Sequence, residues 1–286
     1  MSGALPPITA HFSTLAGGYD LVLSDVWGVV HNGLNSFPAA CDALMRFRAQ
    51  GGSVILITNA PRPSAVVARQ LAKLHVPGEV YDGIVSSGDV TRAVIQSRPG
   101  QSLFHLGPER DRSIFSGLDL RFAPLESADY VVCSGLDNDE TETPEDYRAR
   151  LETMLARRLF MLCGNPDAVV ERGPRLVYCA GAIADLYATM GGEVLYAGKP
   201  YRPIYDQALA KITGGKVARD RVLAIGDSVR TDLKGARMLG VDFLFVTSGI
   251  HSEELGAREN PDAGALRDIF AAAGQAPKAV MRRLVW

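Results

Sequence analysis

Two textures of hydrophobic patterning alternate along this chain. Short unbroken apolar runs, "DLVLSD" at 20–25, "SVILITN" at 53–59 and "GIVSSG" at 83–88, predict strands buried on both faces. Between them, apolar residues recur at helical spacing. "FPAACDALMRFRAQGG" reads as a helix with Pro38 near its start, glycines past its end, and last-turn cations that suit the helix dipole. A second helix begins near Ser64, with Ala65, Ala68, Leu71, Ala72 and Leu74 in phase, and a third runs through Ile95. Such alternation predicts a parallel sheet covered by helices on both faces.

The same texture returns near the C-terminus. "EVLYAGKP", "RVLAIGDS" and "DFLFVTSG" read as strands, "PIYDQALAKIT" and "DLKGARMLG" as helices. Residues 100–193 carry their own series: strands "QSLFHLG", "DYVVCSGL" and "RLFMLCGN", and the helix "PEDYRARLETMLARR". The expected fold class is therefore α/β. A doubly wound, Rossmann-like parallel-sheet core is formed by residues 1–99 and 194–286, and residues 100–193 are inserted as a second α/β unit, a cap. The tail "AGQAPKAVMRRLVW" offers a subunit contact or, more simply, packing back on the core.

Composition narrows the function classes. The chain has 286 residues, 47% hydrophobic and 22% charged, with a formal net charge of -2, which supplies no electrostatic pull toward nucleic acid or an anionic membrane. No apolar run approaches the roughly 20 residues of a membrane-spanning helix. The first residues lack a basic segment and a long apolar core, so they do not read as a secretion signal. Cys41, Cys133, Cys163 and Cys179 lie far apart with no C-x-x-C pair, which suggests neither a zinc site nor a disulfide framework. A reducing cytoplasm is the expected location.

In open parallel sheets, ligands bind outside the carboxyl ends of the strands. Four predicted strand ends carry polar residues: Asp25; Thr58 with Asn59; Lys199 after Gly198; and Asp227, with Asp232 five positions on. Singly, each has an ordinary explanation as a turn, a cap or a solvated lysine. Together they put carboxylates, a hydroxyl, an amide and a cation on one rim. Two carboxylates suit a hard cation such as Mg²⁺, lysine and threonine suit phosphoryl oxygens, and an aspartate in line with phosphorus can act as nucleophile.

The order Asp25-x-x-Gly28, Thr58-Asn59, Gly198-Lys199-Pro200 and Gly226-Asp227 with Asp232 resembles the haloacid-dehalogenase-like hydrolase superfamily. The likeness is closest to its type IIA branch of p-nitrophenylphosphatase-like and phosphoglycolate- or pyridoxal-phosphatase-like proteins. "VSSG", "CGNPD", "CAGAIADL" and "VTSGI" extend it over almost the whole chain. The resemblance implies the inserted α/β cap of that branch and a phosphatase of small phosphorylated metabolites working through an aspartyl-phosphate. It implies Asp25 as nucleophile and Mg²⁺ contact, Thr58 and the Asn59 amide as phosphoryl ligands, and Lys199 as the charge-neutralising cation. Asp227, Asp232 and the main-chain carbonyl of Trp27 are the implied remaining metal positions.

Trp27 is the departure, because phosphatases of this superfamily carry an aspartate there as general acid and base. Three readings follow: a weak or specialised phosphatase, a C–X or C–P bond hydrolase, or a ligand-binding or regulatory protein with a relic site. His31 offers a substitute proton donor near neutral pH, or is an ordinary surface loop residue. In "GNPDAVVERGPR", the resemblance aims the loop at the catalytic aspartate. Asn165, Asp167, Glu171 and Arg172 are the candidate substrate contacts, with an Asx turn as the plain alternative for the first two. Relatives often pair through their caps, so a homodimer is a further expectation.

Overall fold

The computed structural model describes residues 5–172, 175–212, 217–256 and 261–286. Its first strands are β1 (Leu21–Ser24), β2 (Ser53–Thr58) and β3 (Gly83–Ser86). Then come β4 (Ser102–Leu106), β5 (Arg121–Phe122), β6 (Tyr130–Cys133), β7 (Met161–Cys163), β8 (Val169–Arg172) and β9 (Arg175–Tyr178). The last four are β10 (Val194–Tyr196), β11 (Val222–Gly226), β12 (Asp242–Val246) and β13 (Ala279–Met281). The helices are α1 (Ser13–Ala16), α2 (Pro38–Ala49), α3 (Ser64–Lys73), α4 (Ser87–Gln96), α5 (Arg148–Ala156), α6 (Ala180–Thr189), α7 (Arg202–Ala210), α8 (Lys234–Leu239) and α9 (Ala263–Ala272).

A six-stranded parallel sheet, ordered β13-β12-β11-β1-β2-β3, forms the larger unit. Its strands are apolar on both faces because helices cover both. Leu21, Leu23, Ile55 and Ile57 face the cluster that includes α7 to α9, whereas Val22, Val54 and Leu56 face α2 and α3. β1 is central, between β11 and β2, so Asp25 emerges at the middle of the rim. Local signals hold the connections in place. Ser86 and Asp89 form a reciprocal capping box at the start of α4 (3.0 and 3.1 Å). The C-terminal tail packs back: β13 pairs with β12, and Leu284 is buried.

The second sheet is five-stranded and parallel, ordered β10-β7-β6-β4-β5, with α5 and α6 packed on one face. Here one expectation is corrected. The pattern groups "EVLYAGKP" with the C-terminal core from residue 194, yet Val194–Tyr196 pairs with Met161–Cys163 in the second sheet. The chain returns to the larger unit only after Tyr196. Lys199 therefore arrives on the loop from β10 to α7 rather than at a core strand end. A second difference lies in "GNPDAVVERGPR", whose strand β8 pairs antiparallel with β9.

Candidate active site

The site is assembled where β1, β2 and β11 end and the β10–α7 loop crosses them. Asp25 follows β1, and its amide is held by the Ile225 carbonyl (2.8 Å). Asp227 follows β11, and its Oδ2 accepts from the Ile250 amide (2.9 Å). Asp232 sits in a single π turn, in which the Leu233 amide reaches back to the Ser228 carbonyl (3.0 Å). That turn returns its carboxylate to the Ser228 amide (3.2 Å). Asp25, Asp227 and Asp232 are all buried, with one oxygen of each within 4.8 Å of the others. Gly28 makes this approach possible. Its φ is +87°, and a Cβ there would stand 2.0 Å from Asp227 Oδ2.

Lys199 Nζ donates to Asp25 Oδ1 (2.5 Å) and Asp232 Oδ1 (2.6 Å), and the lysine is buried. One ammonium thus faces three carboxylates. Burial pushes Asp25 up to about 7 against the opposing pull of Lys199, with Asp232 adding repulsion. Burial, with Asp25 and Asp232 adding repulsion, holds Asp227 well above the usual carboxylate range. Burial works to lower Lys199, but Asp232, Asp25 and Asp167 outweigh it and keep the ammonium charged.

The end of β2 is tied to this centre. Asn59 Oδ1 accepts from the Lys199 amide (2.7 Å), while its Nδ2 donates to the Lys199 carbonyl (3.1 Å) and to Asp167 Oδ1 (2.9 Å). The Asn59 side chain therefore clamps three segments together. Thr58 is buried and accepts from the Ala60 amide (3.2 Å), and it lines the reaction cavity beside Asp25 and Lys199.

The loop after Asp25 answers part of the Trp27 question. The indole lies edge-on to His31, with ring centroids 5.0 Å apart, and its tip covers Gly33. Gly33 has φ +88°, and a Cβ there would meet the ring at 2.5 Å. His31 is no surface residue: it is 2% exposed, and its Nδ1 accepts from the Gly33 amide (2.9 Å). Burial pushes its imidazole down to about 4, which favours the neutral ring near pH 7. The surface-residue expectation for His31 is corrected by this burial.

Of the four candidate contacts, Asn165 and Asp167 form the Asx turn, Asn165 Oδ1 accepting from the Asp167 amide (3.1 Å). Asp167 is also tied to the Lys199 backbone through Asn59. Arg172, on β8, bonds Asp139 with both terminal nitrogens (3.1 and 2.6 Å). Glu171 lies on β8 too, but its side chain falls outside the described residues. Two joined cavities open here. One of about 220 Å³ holds Asp25, Lys199 and Asp227; the other, of about 370 Å³, extends between α3 and the second sheet. Arg62, Arg110, Asp111 and Asp139 line the second and escaped the sequence reading, since their segments read as ordinary polar loops.

Two family models match. One described as haloacid dehalogenase-like hydrolase covers residues 22–121, and one described as HAD-hydrolase-like covers 196–272. Among solved structures, a haloacid dehalogenase-like hydrolase from Brucella suis is 45% identical, with a TM-score of 0.86 over 97% of this chain and 100% of that one. The 5'-nucleotidase YutF of Bacillus subtilis is 26% identical over 82% of this chain and 90% of its own. An acid sugar phosphatase of Staphylococcus epidermidis is 22% identical over 91% and 99%.

Proposed function

We propose that this chain, which belongs to the haloacid dehalogenase-like hydrolase family and its type IIA branch, hydrolyses a small phosphomonoester through an aspartyl-phosphate on Asp25. The observation that carries the reading is the buried set of three carboxylates, two of them bonded to one lysine. The names of two relatives, a 5'-nucleotidase and an acid sugar phosphatase, support it.

The donor set fits a hard divalent cation. It offers only oxygens, and its three negative charges exceed the one ammonium, so burial requires either protons or a metal ion. Asp25, Asp227, Asp232 and the Trp27 carbonyl would hold Mg²⁺. When bound, that ion supplies the positive charge that lets a phosphate dianion approach a carboxylate.

The residues then divide the work. A carboxylate oxygen of Asp25 attacks phosphorus; the bond from phosphorus to the ester oxygen breaks, and the leaving oxygen takes that electron pair. Lys199 neutralises charge on Asp25 and on the phosphoryl oxygens, while the Thr58 hydroxyl and the Asn59 amide hold those oxygens. Water next attacks the acyl phosphate, releasing inorganic phosphate and restoring Asp25. The Trp27 indole N–H can donate a hydrogen bond but cannot deliver its proton at neutral pH, so esters with stable leaving groups are favoured. The cytoplasm and a homodimer remain part of this reading, and Asn165, Asp167, Glu171 and Arg172 are its substrate-facing residues.

The test is hydrolysis of p-nitrophenyl phosphate with Mg²⁺ or EDTA, using Asp25→Asn as the blank. Nitrophenolate leaves without a proton, so the assay reads the nucleophile alone. Metal-dependent turnover that vanishes in Asp25→Asn is expected. Turnover that survives the substitution, or none from the wild type, overturns the proposal.

A further inference from the structure

We infer that the larger cavity is a subsite for a second anionic group, a carboxylate or phosphate carried by the leaving alcohol, and that Arg172 and Arg110 grip it. The inference rests on the phosphomonoesterase reading and adds the substrate's chemical class.

Continuity is the first support. The two cavities share Trp27, Thr58, Asp167 and Val170 in their linings, so they adjoin, and an ester seated on Lys199 has the larger one beside it to receive its alcohol portion. At about 370 Å³, that space falls in the range of small-molecule sites and exceeds what a bare phosphoryl group needs.

Charge is the second support. Asp139, with a side chain 8% exposed, receives two guanidinium groups: Arg172 through both carboxylate oxygens, and Arg110 through Oδ2. Two cations on one carboxylate leave a positive charge in excess. Across the cavity, Arg62 pairs with Asp111 (3.3 Å) and balances itself. Asp167, the remaining carboxylate of the lining, sits at the neck, where it bonds Asn59. The lining's three arginines and three aspartates balance in number, and the Arg110–Asp139–Arg172 wall is where two partly exposed guanidinium groups share one carboxylate. Asp139 anchors the guanidinium forks while leaving their side chains 45% and 39% exposed, which suits them to a planar carboxylate or a phosphate.

The experiment compares kcat/KM for alkyl phosphates of matched length that end in methyl, carboxylate or phosphate, with p-nitrophenyl phosphate as reference in every protein. The expected wild-type preference for an anionic end is about 10- to 100-fold, the scale of charge-assisted hydrogen bonds. In the double variant Arg110→Met/Arg172→Met the ratio falls to near one, with folding checked by the thermal midpoint. Arg172→Lys keeps the charge without the fork and retains part of the preference. The carboxylate and phosphate arms identify which anion is preferred. A wild-type ratio near one overturns the inference, as does a preference that survives the double substitution. Loss of p-nitrophenyl phosphate turnover in the wild type instead removes the phosphatase reading, and the inference with it.

Discussion

At residue scale, the proposed mechanism makes position 27 the one that limits how fast the chemistry can run. The indole is braced by His31 and the Gly33 backbone, and it lines both cavities. A positioned acid–base group contributes about 10²–10⁴ in rate. Trp27→Asp is therefore expected to raise alkyl phosphate hydrolysis by about 10²-fold, with a smaller gain for the nitrophenyl ester. The half-buried ring also packs its own loop, so the same variant should lose about 1–3 kcal/mol of stability. The measurement is the alkyl-to-aryl ratio of kcat/KM; a ratio that does not move shows that the missing acid is not what limits the enzyme. The positions of Asp25, Thr58 and Asp227 at strand ends were legible in the sequence because each ends or follows an apolar run, whereas the return of Asp232 beside them depends on a turn. Arg172 was named from the sequence, but its meeting with Asp139 and Arg110 was not legible, because only the tertiary fold brings these three together.

At element scale, unbroken apolar runs marked β1, β2, β3, β11 and β12, since burial on both faces leaves no polar position to confuse the pattern. The same texture misplaced β10, an edge strand whose pairing partner is set by the path of the chain rather than by its own residues. The π turn at Asp232 left no pattern either, because one extra residue per turn changes hydrogen bonding without changing composition. β4 allows a test of packing in the second sheet. Burial, aided by Arg112, pushes His105 down to about 4, and its Nε2 bonds Ser134 Oγ (2.9 Å). The folded pKa lies below the ordinary 6.5, so the unfolded chain takes up the proton first as pH falls. The contribution of His105 is complete above about pH 6.5 and fades toward pH 4. Between pH 7.5 and 5.0 the loss should be about 1–2 kcal/mol, read as a drop in urea midpoint that is smaller in His105→Gln. An equal drop in both proteins places the pH sensitivity elsewhere.

At the scale of the whole molecule, the two sheets share one apolar cluster. Leu21, Ile55 and Ile57 of the larger unit belong to the same connected set as Leu103, Tyr130 and Leu162 of the second, bridged by Val90 and Ile95 of α4 and by Ile204 and Tyr205 of α7. Around the site, the units are further joined by Asn59–Asp167, Arg62–Asp111 and Arg230–Asp185. The polar ties add little where exposed, but the shared cluster removes apolar area that separation would return to water. The two units should therefore unfold together. Two reporters distinguish them. Both tryptophans, Trp27 and Trp286, lie on the larger unit, whereas three of the four buried thiols, Cys133, Cys163 and Cys179, lie in the second. Tryptophan fluorescence and pulsed thiol labelling across a urea gradient should give coincident transitions. Thiols of the second unit that become reactive at lower urea than the fluorescence change would mean that the inserted unit opens alone. The shared cluster would then be too weak to couple it, and the subsite wall would be a mobile one.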